Sequence, residues 1–125
     1  MYIEFQNNPC GRRVGDCSVR AVSKALDMTW EAAYVSLCIN GLQMGDMPSS
    51  DAVWGSVLRQ QGYERRIISN TCPDCYDIIE FCKEFPTGTY VVCTGGHVVT
   101  IVDGDYFDSW DSGTERPQYY WAKEV

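Results

Sequence analysis

The feature that most constrains this chain is a change of hydrophobic period near its middle. From Thr89 onward the apolar residues stop recurring at helical spacing. They come instead as two β-branched runs, Thr89-Tyr90-Val91-Val92-Cys93 and Val98-Val99-Thr100-Ile101-Val102. Asp103-Gly104 follows the second run, and Asp-Gly favours a two-residue turn with positive φ at both positions. Tyr106-Phe107 then begins a third strand, and Tyr119-Tyr120-Trp121 reads as another. The last third of the chain therefore predicts an antiparallel sheet.

The first half carries the helical period. Asp16 is placed to cap a helix over about 17–27, with Val19, Val22, Ala25 and Leu26 on one face. Thr29 opens a second helix to about 40, striped by Trp30, Ala33, Tyr34, Leu37 and Cys38. A third runs over about 50–61, capped by Ser49 or Ser50 and stopped by Gly62. Tyr63 to Ser69 reads as a short strand, and 74–84 as a fourth helix with Ile78, Ile79, Phe81 and Cys82 apolar. Residues 6–16 and 41–48 are loop chemistry. The expectation is one α+β domain over 1–125, with N-terminal helices packed on a C-terminal antiparallel sheet.

A net charge of −7 argues against partners with phosphate backbones, so no nucleic acid is expected. No run approaches the roughly 20 apolar residues of a membrane span. Met1-Tyr2-Ile3-Glu4-Phe5-Gln6 lacks the basic start and apolar stretch of a secretory signal, so the expected location is the cytoplasm. Seven cysteines is an odd number and excludes a complete intramolecular disulfide set. Reduced thiols are expected, at least one of them retained for reactivity.

His97 is the single histidine, and imidazole is the side chain that exchanges a proton near neutral pH without a large shift. It follows Gly95-Gly96 at the start of a predicted strand. A lone histidine is commonly a satisfied structural residue, and a lone cysteine a small buried hydrophobe. Three features in combination point elsewhere. Cys17 opens the first long helix, where free N–H groups and the dipole favour thiolate. A carboxylate on the strand after the hairpin, Asp108, is placed to accept the second ring N–H of His97. Asp111 is the runner-up, and Asp103 belongs to the turn. The chain order is helix with Cys, strand with His, strand with Asp.

Gly15-Asp16-Cys17-Ser18 opening a helix, Gly96-His97-Val98-Val99 on a later strand and Asp108 beyond a hairpin resemble the papain-like cysteine peptidases. The similarity is to their compact bacterial and phage branch, near peptidase family C39. It spans nearly the whole chain in architecture and about a dozen residues as motif. It implies the papain-like fold, a Cys17–His97–Asp108 triad, a peptide or protein substrate, and no metal or other cofactor. One departure stands out. Such folds place a Gln about half a dozen residues before the Cys to donate to the oxyanion, whereas here that position holds Gly11 and Arg12. Gln6 and Asn8, with Asn7 between them, are the upstream amides that can replace it. The backbone N–H of Cys17 is the other expected donor.

Other residues have plainer readings. Cys72-Pro73-Asp74-Cys75 has C-x-x-C spacing, but a structural zinc needs four ligands and no second pair follows. A capping loop with core cysteines is favoured over metal or redox roles. Arg20, one turn beyond Cys17, is expected in an ion pair with Asp16 or Asp108 more than in steering an acidic substrate. Trp54 and Trp110 can line a cleft or fill a core. Met28, Met44 and Met47 suit packing or a mobile loop. Two alternatives to the peptidase remain at this level: a non-catalytic protein-binding module of the same fold, and a thiol amidase or acyltransferase acting on non-peptide amides.

Overall fold

The structure is a computed structural model that describes residues 1–68 and 76–123. Within them lie β1 (Tyr2–Glu4), α1 (Cys17–Ala25), α2 (Trp30–Met44), α3 (Asp51–Gln60), β2 (Tyr63–Ile67), α4 (Ile78–Glu84), β3 (Thr89–Cys93), β4 (Val98–Val102), β5 (Asp105–Asp108) and β6 (Tyr119–Lys123). The fold is α+β. Its strands form one sheet in the order β1-β5-β4-β3-β6-β2.

The β3–β4–β5 meander follows the sequence closely. Val91 pairs with Thr100, and Ile101 with Tyr106. Asp103 and Gly104 turn the β4–β5 hairpin at φ values of 49° and 82°. Both are left-handed, as a type I′ turn requires.

The sheet is mixed, not purely antiparallel, and not confined to the C-terminal part. β1 runs parallel to β5, with Ile3 opposite Phe107, and β2 adds to the far edge beside β6. Three residues are too few to show a period, and the pairing of β1 is a main-chain event. Tyr106 donates its N–H to the Met1 carbonyl at 3.1 Å, and Phe5 donates to the Asp108 carbonyl at 2.7 Å. This edge pairing brings the 6–16 loop to the end of β5.

Helices cover both faces of the sheet. Val19, Val22, Leu37, Val53 and Leu58 from α1–α3 meet Val91, Val98 and Trp121 on one face. Ile78 and Phe81 of α4 meet Val92, Val99, Ile101 and Tyr120 on the other. Each fully buried aliphatic side chain contributes roughly 1.5–3 kcal/mol, which fixes the layers against each other. The α1–β4 contact is also pinned by a polar bond, from Thr100 Oγ1 to the Ala21 carbonyl at 2.7 Å.

Several boundaries differ from expectation. α2 continues through Met44, so only part of the 41–48 segment is loop; Gly45, with φ of 67°, ends it as a left-handed cap. α4 begins at Ile78, with Asp77 capping the Glu80 N–H, while Tyr76 is not helical. Residues 74–75, also assigned to that helix, lie outside the described residues, as does the whole Cys72-Pro73-Asp74-Cys75 motif. Asp16 occupies the N-cap position of α1, but its carboxylate caps no backbone N–H. Ser50 likewise makes no side-chain cap and donates instead to Asp46. Among the described residues no helix is long and apolar enough to cross a membrane.

Candidate active site

The site forms where the N-terminus of α1 meets the start of β4 and the end of β5. α1 begins at Cys17, so the N–H groups of its first turn have no intrahelical carbonyl to bind and a partial positive charge gathers there. β4 begins at Val98, which places His97 at its mouth. The sulfur of Cys17 is half-buried beside His97 and the Val98 N–H, and both favour its thiolate form.

The far nitrogen of the imidazole is taken. His97 Nε2 lies 2.6 Å from Asp108 Oδ2, leaving Nδ1 as the ring nitrogen for the sulfur. Asp108 is fully buried and its carboxylate is heavily solvated by the protein. Oδ2 also accepts from Ser112 Oγ at 2.6 Å, and Oδ1 accepts from the Ser109 N–H at 2.8 Å and from Arg20 Nη2 at 3.1 Å. Arg20 in turn binds Asp16 Oδ1 at 2.5 Å, and Asp16 Oδ2 accepts from the Trp30 indole at 2.9 Å. Arg20, Asp16 and Asp108 are each at most 4% exposed. This is a buried network in which the guanidinium balances two carboxylates. Its ends are a helix-α2 indole and the site imidazole.

The electrostatics favour an ion pair. Burial raises the Cys17 thiol, but the hydrogen bond and charge of His97, the Val98 N–H and the Arg20 charge together bring it below its ordinary value. Burial opposes the imidazolium, yet the hydrogen bonds and charges of Asp108 and Cys17 push His97 up to about 9. Asp108 is held low in spite of burial, through His97, Ser112 and the Ser109 N–H. A thiolate beside an imidazolium, oriented by a carboxylate, is the arrangement needed for nucleophilic attack on a carbonyl.

The structure thus brings together Cys17, His97 and Asp108. Asp111 is turned away from the ring. It accepts from Tyr106 Oη at 2.5 Å and from the Gly113 N–H at 3.0 Å. The upstream amides are placed less favourably than expected. Asn8 donates its Nδ2 to the Arg12 carbonyl at 3.0 Å and accepts the Cys10 N–H at 2.9 Å, so it scaffolds its own loop. Asn7 donates to Ser23, well along α1. Gln6 accepts the Asn8 N–H through Oε1 at 3.2 Å.

Trp110 was left between cleft and core by the sequence, and Ser112 and the Val98 N–H were not singled out there. Trp110 packs on the His97 ring at 4.9 Å between centroids and 42° between planes, while 44% exposed. Ser112 fixes Asp108, and the Val98 N–H reaches the sulfur. The run Asp108-Ser109-Trp110-Asp111-Ser112 held the signal for the first two, because a carboxylate that folds its own following turn gathers the hydroxyl four residues on. Trp54 is 1% exposed and belongs to the core. Comparison with protein-family models, with curated proteins and with solved structures finds no match.

Proposed function

We propose that this chain is a papain-like cysteine hydrolase that cleaves a peptide or other amide bond through a thioester on Cys17. The observation that carries the reading is one imidazole set between a carboxylate and a thiol. Asp108 holds His97 Nε2 at 2.6 Å, and Cys17 lies near enough to the same ring that each favours the other's charged form.

In this reading the Cys17 thiolate attacks the carbonyl carbon, and the C–O π electrons move onto oxygen. The Cys17 N–H and Gln6 Nε2 meet that oxyanion. Collapse breaks the C–N bond as His97 gives its proton to the departing amine. A water molecule then gives a proton to His97 and attacks the thioester, releasing the acid and returning the sulfur to thiolate. Asp108 keeps the ring in register and supports its positive charge. The chemistry requires no metal. The acidic surface suits a peptide or protein substrate better than a nucleic acid, and the chain would act in the cytoplasm.

The test is alkylation. Near neutral pH, iodoacetamide should modify Cys17 well ahead of the other thiols, and His97→Ala should abolish that selectivity. Slow, even labelling of all seven cysteines would instead support a binding module with this fold. The placement of Asn7 and Asn8, committed to Ser23 and Arg12, is the observation on that side.

A further inference from the structure

In a chain with 17 acidic residues against 10 basic ones, an arginine has many carboxylates to choose from. Arg59 and Arg65 nevertheless pair with none among the described residues. Each lies on an aromatic ring instead. Arg65 sits 4.0 Å from the centre of the Tyr119 ring, and Arg59 5.2 Å from that of Trp121. Stacking uses the flat face of a guanidinium and leaves its edge of N–H donors for an acceptor. The fold sets the two side by side. Tyr119 and Trp121 are two residues apart on β6, so their rings share one face of the sheet. Arg65 on β2 stands opposite Trp121, and Arg59 lies in the last turn of α3, which packs on that same face.

Both arginines line a cavity of about 460 Å3 between α3 and β6, within the size range of small-molecule sites. Its helical wall is Ala52, Gly55 and Ser56. Small residues there leave space beside the rings, and at Gly55 a Cβ would come within 2.8 Å of Trp121 Cζ2. Trp121, also in the wall, supplies a third donor. It is 3% exposed, and its Nε1 is buried with no acceptor among the described residues. The indoles of Trp30 and Trp54, by contrast, donate to Asp16 and Asp51. Buried N–H groups are paired as a rule, so this one points to an acceptor taken up by the cavity.

Charge narrows the ligand. The carboxylate in the wall, Asp51, already accepts from Trp54 Nε1 at 3.1 Å and from Tyr119 Oη at 3.3 Å. Two guanidiniums and one carboxylate leave the cavity with one positive charge. A carboxylate neutralises that charge, whereas a phosphate dianion overshoots it. The −7 of the whole chain is spread over its surface and screened within about 8 Å at physiological salt, so the local excess governs. A planar carboxylate also matches the guanidinium fork with two parallel hydrogen bonds.

We propose that the cavity between α3 and β6 binds a carboxylate-bearing organic ligand, its oxygens held by Arg59 and Arg65 with the Trp121 indole N–H as a further donor. The inference is independent of the hydrolase reading, since it uses neither Cys17 nor His97.

The Trp121 indole N–H gives the readout. Its NMR signal is identified through the contact of that ring with Gly55. N-acetyl-glutamic acid α-amide should move it downfield saturably, and the neutral isostere N-acetyl-glutaminamide should bind at least roughly tenfold more weakly. Arg59→Gln and Arg65→Gln, both at exposed positions, should each cost roughly tenfold in affinity. Arg65→Lys keeps the charge without the fork and should also weaken binding. Arg12→Gln, an exposed guanidinium on the 6–16 loop, should leave it unchanged. Propionate distinguishes the source of the carboxylate. Binding as tight as that of the glutamic amide assigns the cavity to free organic acids, and weaker binding assigns it to an acidic residue of a polypeptide. Equal binding of the glutamic and glutamine compounds, or no shift with any of them, would overturn the proposal. So would affinity that survives both Arg→Gln changes or falls equally in Arg12→Gln. Tighter binding of N-acetyl-phosphoserinamide would overturn the assignment to a carboxylate.

Discussion

Arg20 Nη2 and Asp108 Oδ1 are 3.1 Å apart in the fold and 88 residues apart in the chain. Through that contact the helix that begins at Cys17 is tied to the carboxylate that holds the His97 ring. A surface ion pair between these residues would be worth at most about 1 kcal/mol. Here both groups are buried, and Asp16 shares the same guanidinium, so the pair couples stability to the geometry of the site.

Replacing Arg20 by Met should therefore be costly. It leaves the Asp16 and Asp108 carboxylates buried without their cation, which is expected to lose about 3–5 kcal/mol. Against a typical total of about 5–15 kcal/mol, that is a large fraction. Arg20→Lys keeps the charge but not the two-pronged reach, and should fall between. Urea denaturation reads both variants. A loss below about 1 kcal/mol for Arg20→Met would show that the network is not sustaining the fold.

His97 is the only histidine, so its ring resonances can be followed without assignment ambiguity. Their titration midpoint should lie near 9, well above the ordinary value of about 6.5. In Asp108→Asn the strongest support for the imidazolium is gone while burial still opposes it, so the midpoint should fall sharply. The iodoacetamide rate at pH 7 should fall at least about tenfold with it. A midpoint at or below 7 in the unaltered protein contradicts the ion pair.

The pH dependence of stability follows from two opposed linkages. His97 is raised, so its contribution is fully present below about 6.5 and lost as pH rises through about 9. Cys17 is lowered, so its contribution is present above the ordinary thiol value of about 8.5 and lost as pH falls through its lowered one. The two linkages have opposite signs, so they offset one another wherever both groups are titrating. Cys17→Ala leaves only the histidine linkage. Its stability should decline with rising pH up to about 9 more steeply than that of the parent protein. Parallel curves in urea for the two proteins would refute the pairing.

Trp110 offers a milder test. It covers the His97 ring while 44% exposed. Its indole face favours the imidazolium and keeps water from the His97–Asp108 bond. Trp110→Ala should lower the His97 midpoint and the alkylation rate together, with stability changed by no more than about 1 kcal/mol because so much of the ring is already in water. An unchanged midpoint would reduce Trp110 to surface packing.

The amino-acid sequence by itself determined the elements whose causes are local. The β-branched runs and Asp103-Gly104 specify the meander because period and turn chemistry act within a few residues. Thr29 caps α2 and accepts from the Ala32 N–H, as its side chain and position dictate. The positions of Cys17 and His97 were legible for the same reason: each sits at an element end that can be located from neighbouring residues. What only the tertiary structure decided depends on contacts between distant segments. β1 joins β5 in parallel through main-chain bonds, which three residues of pattern cannot announce. Asp16, a cap by sequence, is drawn to Arg20 and Trp30 because a buried guanidinium between two carboxylates outweighs one backbone N–H. The choice of Asp108 over Asp111 turned on strand register, since β5 directs one carboxylate at the ring and the following turn sends the other to Tyr106. Arg59 and Arg65 became informative only once Tyr119 and Trp121 lay beneath them, because what surrounds a charge is set by segments distant in the chain.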